Sequence, residues 1–346
     1  MKPRFAACAF LILFIVPTMC PSVVHGVPSY RRSAFQASIE KIVGRRPVCV
    51  VAVDPRNGRI LALVNQRMAI ISAYPPGSII KLLTAYAGLE SGIADPEKVV
   101  ECRNTLVVDG KRLICSQSGG HGKVNLEKAI AESCNVYFYK LGISMGEQNL
   151  LRSFRDFRLG VCTGIPIAGE IPGSVPGRLG GRIEIARAAI GESDRLRVTA
   201  IQMAVITAAI ANGGTEYVPR IGGAGKPIAS RRLDSRPGTF ALLRKAMRLA
   251  VTEGTAKKAG VKGLSVCGKT GSPATAENPD YRHGWFVGFA PYEKPEIALV
   301  VFTAWGHGGT DAAPIAGKVL SAWNKSRASK SYSSSSSSIS SSDDGE

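Results

Sequence analysis

Residues 73–90 read AYPPGSIIKLLTAYAGLE. The Pro75-Pro76-Gly77 step cannot join a helix, whereas the apolar run after it has helical length, so the stretch predicts a helix headed by Ser78 and stopping near Gly92. Lys81 follows one turn later. Residues three apart share a helix face, which sets the Lys81 amine beside the Ser78 hydroxyl, with Ile79, Ile80, Leu82 and Leu83 excluding water. A desolvated lysine loses its proton more readily and can serve as a base for a serine nucleophile. The spacing alone proves little, because Ser38-Ile39-Glu40-Lys41 matches it without any such turn ahead of it.

Two further clusters supply what the first lacks. Ser133-Cys134-Asn135 lies inside EKAIAESCNVYFYKLG, and Lys269-Thr270-Gly271-Ser272 ends GLSVCGKTGS. Acyl transfer from a serine needs a relay for the leaving-group proton, donors for the developing oxyanion and a grip on the substrate. A second hydroxyl, an amide and a fixed cation cover part of that requirement.

Ser-x-x-Lys, Ser-x-Asn and Lys-Thr-Gly in this order resemble the motif set of the penicillin-binding protein transpeptidase domain, within the superfamily of penicillin-recognising serine enzymes. The likeness extends through VCVVAVDPRNGRILALVN, GGHGKVNLEKAIAESCNVYFYKLG, GEIPGSVPG, IGESDRLRVTAIQMAVITAAIANGG and HGWFVGFAPYEKPEIALVVF, from about Val48 to Val319. The resemblance implies an α+β fold: an antiparallel sheet of about five strands flanked by helices, with a second, mainly helical lobe. It implies Ser78 as nucleophile, Lys81 as its base, Ser133 as proton relay, and Asn135 as the group holding the substrate amide and the lysine in register. Lys269 would attract the substrate carboxylate, assisted by the Thr270 and Ser272 hydroxyls, with Gly271 leaving room for the substrate strand. The backbone N–H groups of Ser78 and Ser272 would form the oxyanion hole. The implied reaction is attack on a D-alanyl-D-alanine bond of peptidoglycan stem peptides, without a cofactor. An amine then resolves the acyl-enzyme into a cross-link, and β-lactams trap the serine. Cell-wall synthesis proteins are the implied partners.

Other outcomes remain open at this level. Water in place of the amine would make the chain a carboxypeptidase. A class A or D-like β-lactamase would need a fast deacylating base, and Glu170 stands in GEIPG rather than in a Glu-x-x-x-Asn setting. A non-catalytic scaffold or sensor could keep the same fold. Two features depart from the family pattern, Ile79-Ile80 between serine and lysine and a short segment between Arg67 and Tyr74, so acylation is a firmer expectation than cross-linking.

The chain has 346 residues, 45% apolar and 20% charged, enough for one catalytic domain. Residues 1–26 read as an export signal or membrane anchor, with Lys2 and Arg4 ahead of the apolar run Phe5–Val16, placing the protein in the periplasm or on the outer face of the cytoplasmic membrane. A linker is expected over 27–46, the catalytic domain over 47–325, and a disordered Ser-rich tail over 326–346. Forty-four Lys and Arg against 26 Asp and Glu give a net charge of +18. No nucleic-acid motif accompanies that charge, and anionic wall polymers or lipid head groups fit an exported protein better.

Eight cysteines occur. Cys102 and Cys115 flank NTLVVDGKRLI, whose Asp109-Gly110 step signals a hairpin, and are the candidate disulfide, with two buried thiols as the rival reading. With no Cys-x-x-Cys pair and scattered histidines, no metal site is expected, and His121, His283 and His307 are given no catalytic role. Cys134 reads as a small buried filler.

The remaining pattern predicts a hairpin from 48 to 64, helices over 126–142, 196–211, 241–252 and 312–323, and strands over 263–271, 284–290 and 296–304.

Overall fold

The computed structural model describes residues 33–222, 225–275, 278 and 280–336. The expected signal segment lies outside these residues. Among the described residues no helix is long and apolar enough to cross a membrane.

Five antiparallel strands make the main sheet: β1 (Val48–Val53), β2 (Ile60–Val64), β3 (Cys267–Gly271), β4 (Gly284–Ala290) and β5 (Ile297–Thr303). Their spatial order is β2-β1-β5-β4-β3, so the N-terminal hairpin docks onto the C-terminal strands. Apart from β3, which carries Lys269 and Thr270, these strands are largely apolar runs because both sheet faces are covered. Along β1, Cys49, Val51 and Val53 enter one core while Val48, Val50 and Ala52 enter the other. The same alternation divides Trp285, Val287 and Phe289 from Phe286 and Ala290 on β4.

The helix Ala200–Asn212 lies against one face. Thr199 and Gln202 form a reciprocal capping box at its start, and Gly213 ends it at φ 84°. The opposite face is covered by Thr239–Thr252, Ala34–Val43 and Ala313–Ser336.

Within the stretch expected to be a linker, the described part from Ser33 onward holds a helix, Ala34–Val43. Ser33 caps the helix Ala34–Val43 by accepting from the Gln36 N–H, and the Gln36 amide pairs with both backbone groups of Leu63 on the edge strand β2 at 3.0 and 2.9 Å. That helix satisfies a sheet edge that would otherwise be open. At the other end, the closing helix runs on to Ser336, into the stretch expected to be disordered. Once nucleated on packed residues, a helix extends at the gain of one backbone hydrogen bond per residue.

The helical lobe holds Lys81–Glu90, Leu126–Ala131, Asn135–Asp156 and Arg182–Ala189. The helix expected over 126–142 is two helices. Leu126–Ala131, capped by Asn125, stops before Ser133, which takes φ 61°; Cys134 then caps Asn135–Asp156. Small hairpins fringe the lobe. Thr105–Val108 and Lys111–Ile114 turn at Asp109-Gly110 as the sequence signalled, while Val100–Cys102 pairs with Gly122–Val124.

Candidate active site

Ser78 sits between the two lobes, in a 3-10 turn over Gly77–Ile80, and the α-helix proper begins only at Lys81. The Pro75-Pro76-Gly77 step is clamped from three sides. Trp285 Nε1 donates to the Pro75 carbonyl at 2.9 Å, the Gly77 N–H donates to the Gly191 carbonyl at 3.1 Å, and β3 passes close behind at Gly271. Gly77 has φ 55°, and a Cβ there would come within 2.8 Å of Pro273. A Cβ on Gly191 would strike the Gly77 carbonyl oxygen at 2.2 Å. Only glycine fits either position.

Gly271 is also constrained from within the chain. Its Cβ would press on the Pro76 carbonyl oxygen at 3.0 Å and on Ile79 Cγ2 at 3.2 Å, so the residue admits the nucleophile turn against β3.

Lys81 is fully buried. Its Nζ donates to the Ser133 carbonyl at 2.7 Å, to Ser133 Oγ at 3.1 Å and to Asn135 Oδ1 at 2.6 Å. These three bonds use every proton of an ammonium. The positive φ of Ser133 lets its carbonyl and its hydroxyl both face the lysine. Burial pushes the Lys81 pKa down to about 8, close enough to neutrality for the free amine to be accessible.

Lys269 reaches the same hydroxyl from the opposite lobe. It lies on the edge strand β3 yet is fully buried, and its Nζ donates to Ser133 Oγ at 2.9 Å and to the Thr270 carbonyl at 2.8 Å. Burial first, and then the charge of Lys81, holds its pKa well below the ordinary lysine value. Ser133 thus joins the two lobes through two lysines.

The Thr270 hydroxyl is engaged with Thr255 Oγ1 at 2.7 Å, and Ser272 Oγ accepts from the Gly308 N–H at 2.9 Å. Ser78 is half-buried, and its hydroxyl makes no hydrogen bond among the described residues.

Glu170 is spent elsewhere. Its carboxylate accepts from Thr163 N and Oγ1, both at 2.6 Å, and from Gly164 N at 3.0 Å, stapling that loop. His283 Nδ1 bonds to the Ala304 carbonyl at 2.8 Å.

Two sequence readings are corrected here. Cys102 and Cys115 are not bonded to each other; both are free, buried thiols. They meet Cys134 and His121 in a cluster whose donor atoms all lie within 4.8 Å of one another, so a set of metal-binding donors exists where none was expected. The folding of two hairpins, rather than a local Cys-x-x-Cys spacing, assembles it. Sequence reasoning also missed Trp285, Gly191 and Thr255. The aromatic beside a glycine in HGWFVGF and the glycine of IGES were the only local signals.

This arrangement has known counterparts. The chain matches the penicillin binding protein transpeptidase domain over residues 48–321. It is 33% identical to stage V sporulation protein D of Bacillus subtilis over 318 residues, covering 78% of this chain and 48% of that protein. It is 30% identical to the peptidoglycan D,D-transpeptidase MrdA of Acinetobacter baumannii over 347 residues, covering 82% of this chain and 51% of the relative. The chain thus spans about half the length of these curated relatives. Among solved structures, a ceftriaxone acyl-enzyme complex of penicillin-binding protein A from M. tuberculosis superposes with a TM-score of 0.73 at 26% identity, over 83% of this chain and 76% of that one. The chain belongs to the penicillin-binding protein transpeptidase family.

Proposed function

We propose that this chain is a serine D,D-transpeptidase acting on D-alanyl-D-alanine stem peptides of peptidoglycan outside the cytoplasm. The observation that carries this reading is the convergence of Lys81 and Lys269, from opposite lobes, on the Ser133 hydroxyl beside the Ser78 turn.

Ser78 Oγ attacks the penultimate D-alanine carbonyl while its proton passes to neutral Lys81. Once Lys81 carries that proton, Ser133 Oγ, within hydrogen-bond reach of both lysines, delivers a proton to the departing D-alanine nitrogen. The C–N bond breaks and the Ser78 ester forms. Asn135 holds the lysine through Oδ1, and its Nδ2, which donates to the Ile114 carbonyl at 3.4 Å, is assigned to the substrate amide. Lys269 supplies positive potential for the substrate's terminal carboxylate; the Ser272 hydroxyl, which accepts from Gly308, keeps its proton to donate to it, and Thr270 donates to it by turning its proton away from Thr255. The N–H groups of Ser78 and Ser272 are assigned to the oxyanion. An amine of a neighbouring stem resolves the ester into a cross-link. A β-lactam takes the donor's place and leaves Ser78 acylated. Proteins of wall synthesis are the proposed partners, and the basic surface suits anionic wall polymers or lipid head groups.

The engagement of Glu170 in its own loop favours a long-lived acyl-enzyme over the fast deacylation of a β-lactamase. The test is incubation with a fluorescent penicillin, reading adduct mass and lifetime on the wild-type chain and on Ser78→Ala, followed by a D-Ala-D-Ala donor with an added amine. A labelled wild type, an unlabelled Ser78→Ala and an amine-dependent product are expected. Release of free D-alanine at a rate indifferent to the amine would make it a carboxypeptidase, and absence of any adduct would remove the reading.

A further inference from the structure

The helix Arg182–Ala189 ends on a tight reversal beside the nucleophile. Gly191 takes φ 77°, its N–H donates to the Ala188 carbonyl at 3.0 Å, and the Glu192 N–H donates back to the Arg187 carbonyl at 2.9 Å. The backbone of Glu192 is thereby fixed. Gly191 is also the residue whose carbonyl accepts from the Gly77 N–H at 3.1 Å, so Glu192 and Ser78 each stand one residue beyond that bond. Thr84 Oγ1, on the helix that Lys81 begins, donates to the Ala189 carbonyl at 2.7 Å and holds the same reversal from a second side.

The stretch from Arg182 to Arg197 carries three carboxylates, Glu184, Glu192 and Asp194. Glu184 Oε1 accepts from Ser193 Oγ at 2.6 Å, and Asp194 pairs with Arg187 at 3.3 Å. Glu192 is exposed, and its carboxylate has neither an ion pair nor a hydrogen bond among the described residues. It also follows the C-terminal end of the helix, where the macrodipole is negative and a carboxylate gains nothing from the fold. The place suits a cation from outside the chain. Its charge reaches the site, being felt at the Lys81 amine and the Tyr139 hydroxyl, in both cases behind the larger effect of burial. Tyr139 Oη and Asn135 Nδ2 both donate to the Ile114 carbonyl, at 3.2 and 3.4 Å, and the Ile114 side chain is 60% exposed. An exposed apolar side chain and an unpaired anion thus lie on the Tyr139 side of the site.

We propose that Glu192 receives the acceptor as an aliphatic primary ammonium, with Ile114 lining its methylene stem, and so sets the preference of the Ser78 ester for an amine over water. The role in transfer rests on the proposed function; the contact between Glu192 and the ammonium does not. Held there, the ammonium gives one proton to solvent, and the amine nitrogen attacks the acyl carbon. The new C–N bond forms as the bond to Ser78 Oγ breaks, and a second proton leaves that nitrogen for neutral Lys81, which passes it to Ser78 Oγ. An ester and an ammonium thus become an amide, a serine hydroxyl and one solvent proton. Glu192 touches the acceptor without taking its proton, so it acts on binding and selectivity.

The test uses the full chain with a D-alanyl-D-alanine donor peptide and reads the ratio of amine product to free acid by mass spectrometry. Two acceptors are compared at neutral pH: Nα-acetyl-lysinamide, a cation, and hydroxylamine, which is uncharged. In Glu192→Gln the ratio with the lysinamide should fall about fivefold, the worth of one solvent-exposed charge pair, and it should fall further in Glu192→Lys. With hydroxylamine the ratio should move by less than about twofold in either variant, which separates loss of the charge from a disturbed Ser78 turn. On the wild type alone, about 1 M salt should remove the preference for the lysinamide. Saturation-transfer NMR of the lysinamide on Ser78→Ala, which cannot transfer, reads the contact by itself, and adding Glu192→Gln to that variant should abolish it. An equal fall for both amines, or an unchanged ratio with the lysinamide, would overturn the role in selection. An NMR contact that survives Glu192→Gln would overturn the ammonium site. A contact that depends on Glu192, in a chain that makes no amine product, would remove the cross-linking reading alone.

Discussion

Lys81 and Lys269 donate to one oxygen, Ser133 Oγ, at 3.1 and 2.9 Å. Both amines are fully buried, and neither lobe alone could bring them together. Two ammonium ions sharing a hydroxyl without a carboxylate repel, so the cluster favours a state with at least one amine neutral.

That preference predicts a pH profile. As an ammonium, Lys81 has no lone pair for the Ser78 proton; as an amine, it has one. Acylation by penicillin should therefore rise with pH through about 8 and level off above it. Stopped-flow labelling across the range shows the profile, and a flat rate would take the base role away from Lys81.

Gly271→Ala tests how tightly β3 holds the nucleophile turn. The new methyl meets the Pro76 carbonyl at 3.0 Å and Ile79 at 3.2 Å, neither of which is a flexible chain end. Thermal unfolding should show a loss of about 1–3 kcal/mol, and labelling of Ser78 should slow with it.

Trp285→Phe keeps most of the packing volume but removes the donor to the Pro75 carbonyl. An unmet buried carbonyl costs roughly 1–3 kcal/mol. Because that carbonyl belongs to the turn ahead of Ser78, the acylation rate should drop while Ser78 remains the labelled residue by peptide mapping.

Glu216 gives a stability prediction away from the site. It is buried on the short strand Thr215–Tyr217 with Oε1 unsatisfied, and burial raises its pKa to about 7. Between 4.5 and about 7 the folded chain keeps a proton that the unfolded chain has lost, so this group lowers stability as pH rises through that window. Glu216→Gln should flatten that part of the melting-temperature profile and raise stability above it by on the order of 1–3 kcal/mol.

Much of the fold was legible because its signals are local. The β1–β2 hairpin, the capped helix ending at Asn212-Gly213 and the Asp109-Gly110 turn each depend on residues a few positions apart. The break before Ser133 was not legible. Its surrounding residues favour a continuous helix, and the interruption is stabilised by Lys81, 52 positions away in sequence. The helix Ala34–Val43 was missed for a related reason: its stability comes from the edge of β2, against which Gln36 docks.

The three motifs, their order and the apolar runs of the N-terminal hairpin and of the strands over 284–290 and 296–304 were determined by sequence alone, since composition and short spacing suffice for them. Tertiary structure decided the rest. It made Lys269 a buried partner of Ser133, packed Gly271 against the Ser78 turn, and gathered Cys102, Cys115, His121 and Cys134 within 4.8 Å. Hydrogen bonds and donor clusters act over a few ångströms in space, and chain spacing carries no record of which distant segments the packing will bring that close.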